Sequence, residues 1–294
     1  MKQKYIGTLF LFYLIIFLGV EIFSIALYRA FLPNFWGSVL LVIFVSSLGG
    51  LIATLFVTYF GDFLRSVQKN NNKMLRLENL SHPLLLKLSK NAPGTYSHSL
   101  TVAELAIFAG KKINIDTSYL RLGGYYHDIG KLHNPNMFLE NKMKPLKLMD
   151  KKELVETAKA IIAHVPEGVK LAKEYELPGE IIEVICQHHG NAGIDSLKTE
   201  LDKMDVRLEY PGPKPLSKET AVIMLADTID ARIRGAKFQN EESLAKTINA
   251  EIDRKINSEQ LNLSGLKQKD IDTLRQAYLE KIQSLYHNRK FYKS

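Results

Sequence analysis

The chain has 294 residues, 46% of them hydrophobic, with a formal net charge of +8 and one cysteine. That is enough for one domain with a sizeable core and something beside it, and a single cysteine excludes an intrachain disulfide, as suits a reducing cytosol. The positive excess favours anionic partners: phosphates, nucleotides or the inner leaflet of a membrane.

In chain order, the first element is IGTLFLFYLIIFLGVEIFSIALY (6–28), apolar except for Glu21. The second is WGSVLLVIFVSSLGGLIATLFVTYF (36–60), which carries no charge. Each is long enough to cross a hydrocarbon core of roughly 30 Å as a helix. The first is too long for a cleaved signal peptide, and a second span follows it at once. The RAFLPNF link suits a tight hairpin. Lys2 and Lys4 precede the first span and Arg65, Lys69, Lys73 and Arg76 follow the second, so both termini are expected in the cytoplasm. Ser46, Ser47, Gly49, Gly50 and Ala53 form a small-residue stripe that can pack against another helix.

Residues 63–80 read as a juxtamembrane helix or linker with an Asn-rich break at 70–72. From 81 onward the spacing is helical. SHSLTVAELAIFAGKKI, SYLRLGGYYHDIGKL, ELVETAKAIIAHV (ending near Pro166), PGEIIEVICQHH and SKETAVIMLADTIDARIRG are expected helices, the last with Ser217 as N-cap. Two amphipathic helices follow between 241 and 288, separated at Ser264-Gly265. No alternating pattern of useful length occurs, so the fold class is all-α. The division is a transmembrane hairpin (1–62), a linker (63–80) and a helical domain with a C-terminal helical extension (81–294). Cys186, in an apolar run, reads as core.

His98, His127, His164, His188 and His189 fall on these helices or at their ends, with Asp128 beside His127 and Asp227 in the run IMLADTID. Such groups are costly to bury unless paired or bound to a cation. Imidazole and carboxylate without thiolate suit iron, manganese, zinc or nickel. Seven ligands exceed the needs of one tetrahedral ion and suit two divalent ions sharing a carboxylate. Such a pair clamps the attacking and leaving oxygens of a displacement at phosphorus. Lys131, one turn after His127, can stabilise charge on a phosphate. Asp128 and Lys131 are therefore the candidate catalytic residues. Candidate substrate contacts are Arg234, Lys214 and Tyr126. For Arg234 the alternative is a pair with Asp230 that steadies the helix, and for Tyr126 it is core packing.

The order H…HD…H…HH…D, with HPLLLKLSKNAPGTYSHS, GGYYHDIGKL, FLEN, IIAHV, QHHG, EYPGPKPLSKE and MLADTIDARIR, resembles the seven-transmembrane HD-domain (PgpH-type) cyclic di-AMP phosphodiesterase family. The resemblance covers about residues 60–294. It implies an all-helical HD-domain metal phosphohydrolase facing the cytoplasm and two ions, iron or manganese. His98, His127, Asp128 and Asp227 would hold one. Asp128 would bridge to a second held by His164, His188 and His189. The implied reaction linearises cyclic di-AMP to pApA. The expected protein is a shortened, two-span form in the cell membrane without the family's external region. Its partners would be the bilayer and a membrane protein or a second copy, with no nucleic-acid polymer. At Lys142, Glu209 and Asn191 the sequence departs from the family pattern, outside the ligand positions. The alternatives are an HD phosphohydrolase of cyclic di-GMP or guanosine tetraphosphate, or a catalytically silent nucleotide-binding module. HHGNAGIDSL lacks the HHExxDGxGYP pattern of cyclic di-GMP hydrolases of the HD-GYP type.

Overall fold

The computed structural model describes residues 15, 18–23, 25–26 and 29, and then 35–290 apart from 142–147, 195–196, 198–207, 235, 237 and 239. It divides into two compact units, Met1–Leu75 and Arg76–Ser294.

Helix α1 (Phe35–Glu78) has 44 residues, about 66 Å at 1.5 Å per residue. Among the described residues it is the one helix long and apolar enough to cross a membrane. Leu40, Ile43, Phe44 and Leu55 are each more than half exposed, where a water-soluble helix of this composition would be covered. Most of the first expected span lies outside the described residues, but 18–23 are helical. There the Ser46 hydroxyl donates to the Glu21 carboxylate. A Cβ at Gly49 would lie 3.1 Å from Val20 Cγ1. Ser46 and Gly49 thus turn one face of the small-residue stripe toward the preceding apolar segment, which also gives Glu21 a polar partner. The break expected at 70–72 does not occur, since α1 runs through it. Asparagine lowers helix propensity by less than about 1 kcal/mol per residue, and a helix already propagating absorbs that.

The second unit consists of α2 (Pro83–Asn91), α3 (Pro93–Lys112), α4 (Thr117–Tyr126), three 3₁₀ turns (Ile129–His133, Pro135–Met137, Leu139–Asn141), α5 (Lys151–Glu174), α6 (Gly179–Gln187), α7 (Lys218–Arg234), α8 (Glu241–Asn257) and α9 (Gln268–Lys290). No strand occurs among the described residues, only an isolated bridge between Gly193 and Glu209. The fold is all-α, as the spacing predicts.

Helix α7 is the centre. Thr220 through Asp227 are all buried, so this stretch is enclosed on every side. Val102, Leu105, Ala106 and Ala109 of α3 pack on it, as do Ile248 and Ile252 of α8 and Leu274, Tyr278 and Ile282 of α9. The Tyr278 hydroxyl donates to the Val222 carbonyl at 2.7 Å. The two tail helices therefore complete the core and are not an appendage. Ser217 caps α7, its hydroxyl accepting from the Thr220 amide at 3.2 Å.

Two boundaries differ from the spacing-based reading. Helix α5 continues through Pro166 to Glu174. Proline removes one main-chain bond, but the turn at Gly130 packs on the backbone of α5 at His164 and Gly168 and braces it there. Helix α4, in contrast, stops at Tyr126, and His127 is its C-cap. His127 and Asp128 thus sit where the chain leaves a helix, not within one.

Candidate metal centre

Five chain segments deliver the expected ligands to one place. His98 comes from the middle of α3, His127 and Asp128 from the end of α4, His164 from α5, His188 and His189 from just beyond α6, and Asp227 from α7. All are buried except His189, which is partly so. Convergence depends on close backbone approach. A Cβ at Gly130 would lie 1.8 Å from the His164 carbonyl oxygen, so only glycine lets the HDIGK turn rest on α5. A Cβ at Gly124 would lie 2.4 Å from Ala103 Cα, and the missing side chain draws α4 onto α3.

The rings are oriented from behind. His127 Nδ1 donates to the Gly124 carbonyl at 2.9 Å, His188 Nδ1 to Ile185 at 2.9 Å, and His164 Nδ1 to Ile161. A carbonyl can only accept, so each neutral ring presents its Nε2 lone pair to the interior. His164 Nε2 and His188 Nε2 then face each other at 3.3 Å. Two buried lone pairs at that distance call for a proton or a cation between them.

Asp128 stands in the middle. Its Oδ2 lies 3.3 Å from His127 Nε2 and 3.6 Å from His98 Nε2. Its Oδ1 lies 3.4 Å from His164 Nε2 and 3.7 Å from His188 Nε2. Neither oxygen makes a hydrogen bond, nor does His127 Nε2; the Lys131 ammonium reaches Oδ2 as an ion pair at 2.7 Å. Asp227 Oδ1 is 2.9 Å from His98 Nε2 and 3.8 Å from His127 Nε2, and its Oδ2 is 3.8 Å from His189 Nδ1.

The donor atoms of Asp128, His164, His188 and His189 lie within 4.8 Å of one another, and so do those of His98, His127 and Asp128. The two buried Asp128 oxygens and the His127 Nε2, without hydrogen-bond partners and in nitrogen–oxygen sets without thiolate, fit divalent cations. The cluster can hold metal ions.

Burial and charge oppose each other here. Burial works against a charged His127, but Asp128 and Asp227 outweigh it and push its pKa up to about 10. At His164 burial wins, with the neighbouring His188 adding to it against Asp128, and the pKa falls to about 3. His189 is also held well below the ordinary value, first by burial and then by His188. Asp128 and Asp227 stay well below the usual carboxylate range against their burial, Asp128 chiefly through Lys131 and His127, Asp227 through His127 and the hydrogen-bonded His98.

The other expected residues are placed differently. Lys131 is nearly buried, not a solvated lysine. Besides Asp128 it donates to Glu140 Oε1 at 2.8 Å and lies 4.9 Å from the Phe138 ring centre. Tyr126, a candidate substrate contact, is wholly buried. Its hydroxyl donates to the Leu77 carbonyl at 2.9 Å, so it is a core residue that no substrate base can stack on. Arg234 donates twice to Asp230 Oδ2, at 3.1 Å from Nε and 2.7 Å from Nη2, which occupies the guanidinium expected on a phosphate. Lys214 lies in the turn whose Gly212 packs against Gly190 and Asn191, just after His189. It is 3.6 Å from Glu259, whose exposed carboxylate makes this a weak pair.

Spacing missed three supporting residues. Asn141 Oδ1 accepts from the Gly94 and Thr95 amides at 2.9 and 3.2 Å, capping the helix that carries His98. The signal was available: Ala92 precedes Pro93 and cannot cap, so an acceptor had to come from elsewhere. Glu140 holds Lys131 on one side and accepts from the Thr95 hydroxyl at 3.0 Å. Asp230 accepts from His98 Nδ1 at 2.6 Å, a long-range partnership that helical spacing cannot reveal.

The HD domain family profile matches residues 95–232. The chain is 33% identical over 222 residues, 74% of its length, to the cyclic-di-AMP phosphodiesterase PgpH of Bacillus subtilis, and 30% identical over 247 residues to that of Listeria monocytogenes. It spans about a third of the length of these curated relatives, 31% and 34%. The crystal structure of the L. monocytogenes PgpH HD domain in complex with cyclic-di-AMP superposes with a TM-score of 0.65 at 31% identity, covering 70% of this chain and 98% of that one. With that solved domain matched over nearly its whole length, the chain belongs to the HD-domain family, on its PgpH branch.

Proposed function

We propose that the chain is a membrane-anchored, di-metal phosphodiesterase that opens cyclic di-AMP to pApA. The observation that carries this is the division of Asp128. One oxygen faces His98 and His127, the other His164 and His188, and apart from the Lys131 ammonium beside Oδ2 neither has a partner that satisfies it. A carboxylate so placed suits a bridge between two cations. His98, His127 and Asp227 would hold one with Asp128, and His164, His188 and His189 the other; iron or manganese suits such a set. When bound, the two ions supply Lewis-acid activation of water and of the phosphodiester.

The chain's own residues do the rest. The main-chain carbonyls behind His127, His164 and His188 hold Nδ1 as the donor, so each Nε2 is aimed inward before any ligand arrives. Lys131, fixed between Asp128 and Glu140, adds a positive charge beside the reacting phosphate, where negative charge develops. Lys214, on the turn next to His189, is the proposed contact for the second phosphate of a cyclic dinucleotide. The substrate assignment is supported by the match to the PgpH domain solved with cyclic-di-AMP. The uncovered apolar surface of α1, with the apolar segment before it, supports a two-span anchor in the bilayer. The basic residues flanking both segments favour cytoplasmic termini and a cytoplasmic catalytic unit.

The test uses the full chain in detergent micelles, stripped of metal and reloaded with Mn²⁺ or Fe²⁺. It is offered cyclic di-AMP, cyclic di-GMP, linear pApA and guanosine tetraphosphate. Cyclic di-AMP should be linearised fastest. Cleavage of cyclic di-GMP alone would overturn the substrate, and no cleavage of any of the four with both ions bound would overturn the enzyme.

A further inference from the structure

We infer that Asp230, locked by Arg234, is a positioning residue that makes the half-site of His98, His127 and Asp227 the tighter of the two; the inference rests on the di-metal reading above. The observation is an asymmetry in how the imidazoles are held from behind. His127, His164 and His188 each donate Nδ1–H to the carbonyl three residues earlier in their own segment. His98 instead points Nδ1 across to another helix, where Asp230 Oδ2 accepts at 2.6 Å over a sequence separation of 132.

That carboxylate cannot easily turn away. Arg234, one turn further along α7, donates to the same oxygen from both Nε and Nη2. Asp230 is itself one turn beyond Asp227, so α7 presents a ligand and its neighbour's support on one face. The arrangement has a direct chemical consequence. A carboxylate behind an imidazole fixes its tautomer as a carbonyl does, and its negative charge, even shared with Arg234, also makes the far nitrogen a stronger donor to a cation. This half-site therefore combines the charge of Asp227 with a ring polarised by Asp230. In the opposite half-site His164 and His188 are held by neutral carbonyls, and the second oxygen of Asp128 is the carboxylate between them. Arg234 acts through Asp230 and His98, so the pair with Asp230 that spacing offers as the alternative to a phosphate contact does more than steady the helix.

The test is a Mn²⁺ titration of the metal-stripped full chain in micelles, with free Mn²⁺ followed by its electron paramagnetic resonance signal. The unsubstituted chain should show a tighter and a weaker class of site. Asp230→Asn keeps the shape and an acceptor oxygen but removes the charge. It should weaken the tighter class about 10–100-fold and leave the other unchanged. In a His98→Ala background, where the ring is gone, adding Asp230→Asn should cost no further affinity. Arg234→Ala should reproduce the loss in milder form, and it carries the test if Asp230→Asn lowers helix content. Asp230→Asn with no effect on either class, an equal loss in both, or the same further loss in the His98→Ala background would overturn the inference. A chain that takes up no Mn²⁺ at all would instead overturn the di-metal reading itself.

Discussion

The two halves of the centre use the same residue types and are built on different principles. The half around His98 and His127 is rich in charge. It has Asp227, the Oδ2 of Asp128 and, behind His98, Asp230, and burial there is outweighed by anions, so that His127 holds a proton up to about pH 10. The half around His164 and His188 is rich in imidazole. Its nitrogens face one another at 3.3 Å, and burial wins, so His164 is neutral down to about pH 3. The first half answers burial with counter-charge, the second by giving up charge. Only Asp128 belongs to both.

The largest effect should come from removing what the halves share. If Asp128 bridges as proposed, Asp128→Ala should lower metal content in both halves and reduce turnover by several kcal/mol of barrier, roughly 10³-fold or more. Metal analysis of the purified variant beside single-turnover assays would check it. A variant retaining both ions and turnover would show that the halves do not depend on one another through this carboxylate.

A smaller and one-sided effect is expected at Gly130. A Cβ there meets the His164 carbonyl oxygen at 1.8 Å and the Gly168 amide nitrogen at 2.5 Å, both main-chain atoms that cannot swing aside. Gly130→Ala must push the turn off α5, at a cost of about 1–3 kcal/mol. The displacement separates Asp128 from His164 and leaves His98 and Asp227 in place. Thermal unfolding should therefore report a lower midpoint, and metal analysis a loss larger in the imidazole-rich half. Equal loss from both halves would mean that the turn positions the whole centre.

Much of this was legible in the sequence, for physical reasons that also mark where legibility ends. The seven candidate ligands stand out because buried histidines and aspartates in apolar runs need partners, and that need is local information. The all-α class follows from spacing alone. The end of α4 was misread because GGYYHDIGKL keeps a helical apolar pattern, whereas the chain turns to let Gly130 meet α5, a contact set by a distant segment. Pro166 misled in the opposite sense, because its local penalty was absorbed by that same contact. Arg234 and Tyr126 show a third limit. Both have side chains suited to a nucleotide, and spacing leaves each open between substrate and an internal role; the choice is made by partners from other segments, the His98 ring on Asp230 and the Leu77 carbonyl.

The finest test of the contrast between the halves counts protons. In the metal-free chain at pH 8, His127 lies below its pKa of about 10 and is protonated, while His164 lies far above its pKa of about 3 and is neutral. A cation needs the imidazole lone pair. Loading the charge-rich half at pH 8 must then displace a proton, and its affinity should rise with pH until His127 deprotonates of its own accord near pH 10. His164 gives up no proton when the imidazole-rich half is loaded, so the affinity of that half should vary less with pH over the same interval. Titration calorimetry in two buffers of different ionisation enthalpy separates the cases. His164→Ala, which keeps the charge-rich half, should give a buffer-dependent heat corresponding to about one proton or more per ion. His98→Ala, which impairs that half, should show a smaller buffer dependence. If both variants released protons equally, counter-charge would not be what distinguishes the halves. The difference would then have to lie in geometry alone, which the near-equal Nε2 distances of His127 and His164 to Asp128, 3.3 and 3.4 Å, do not supply.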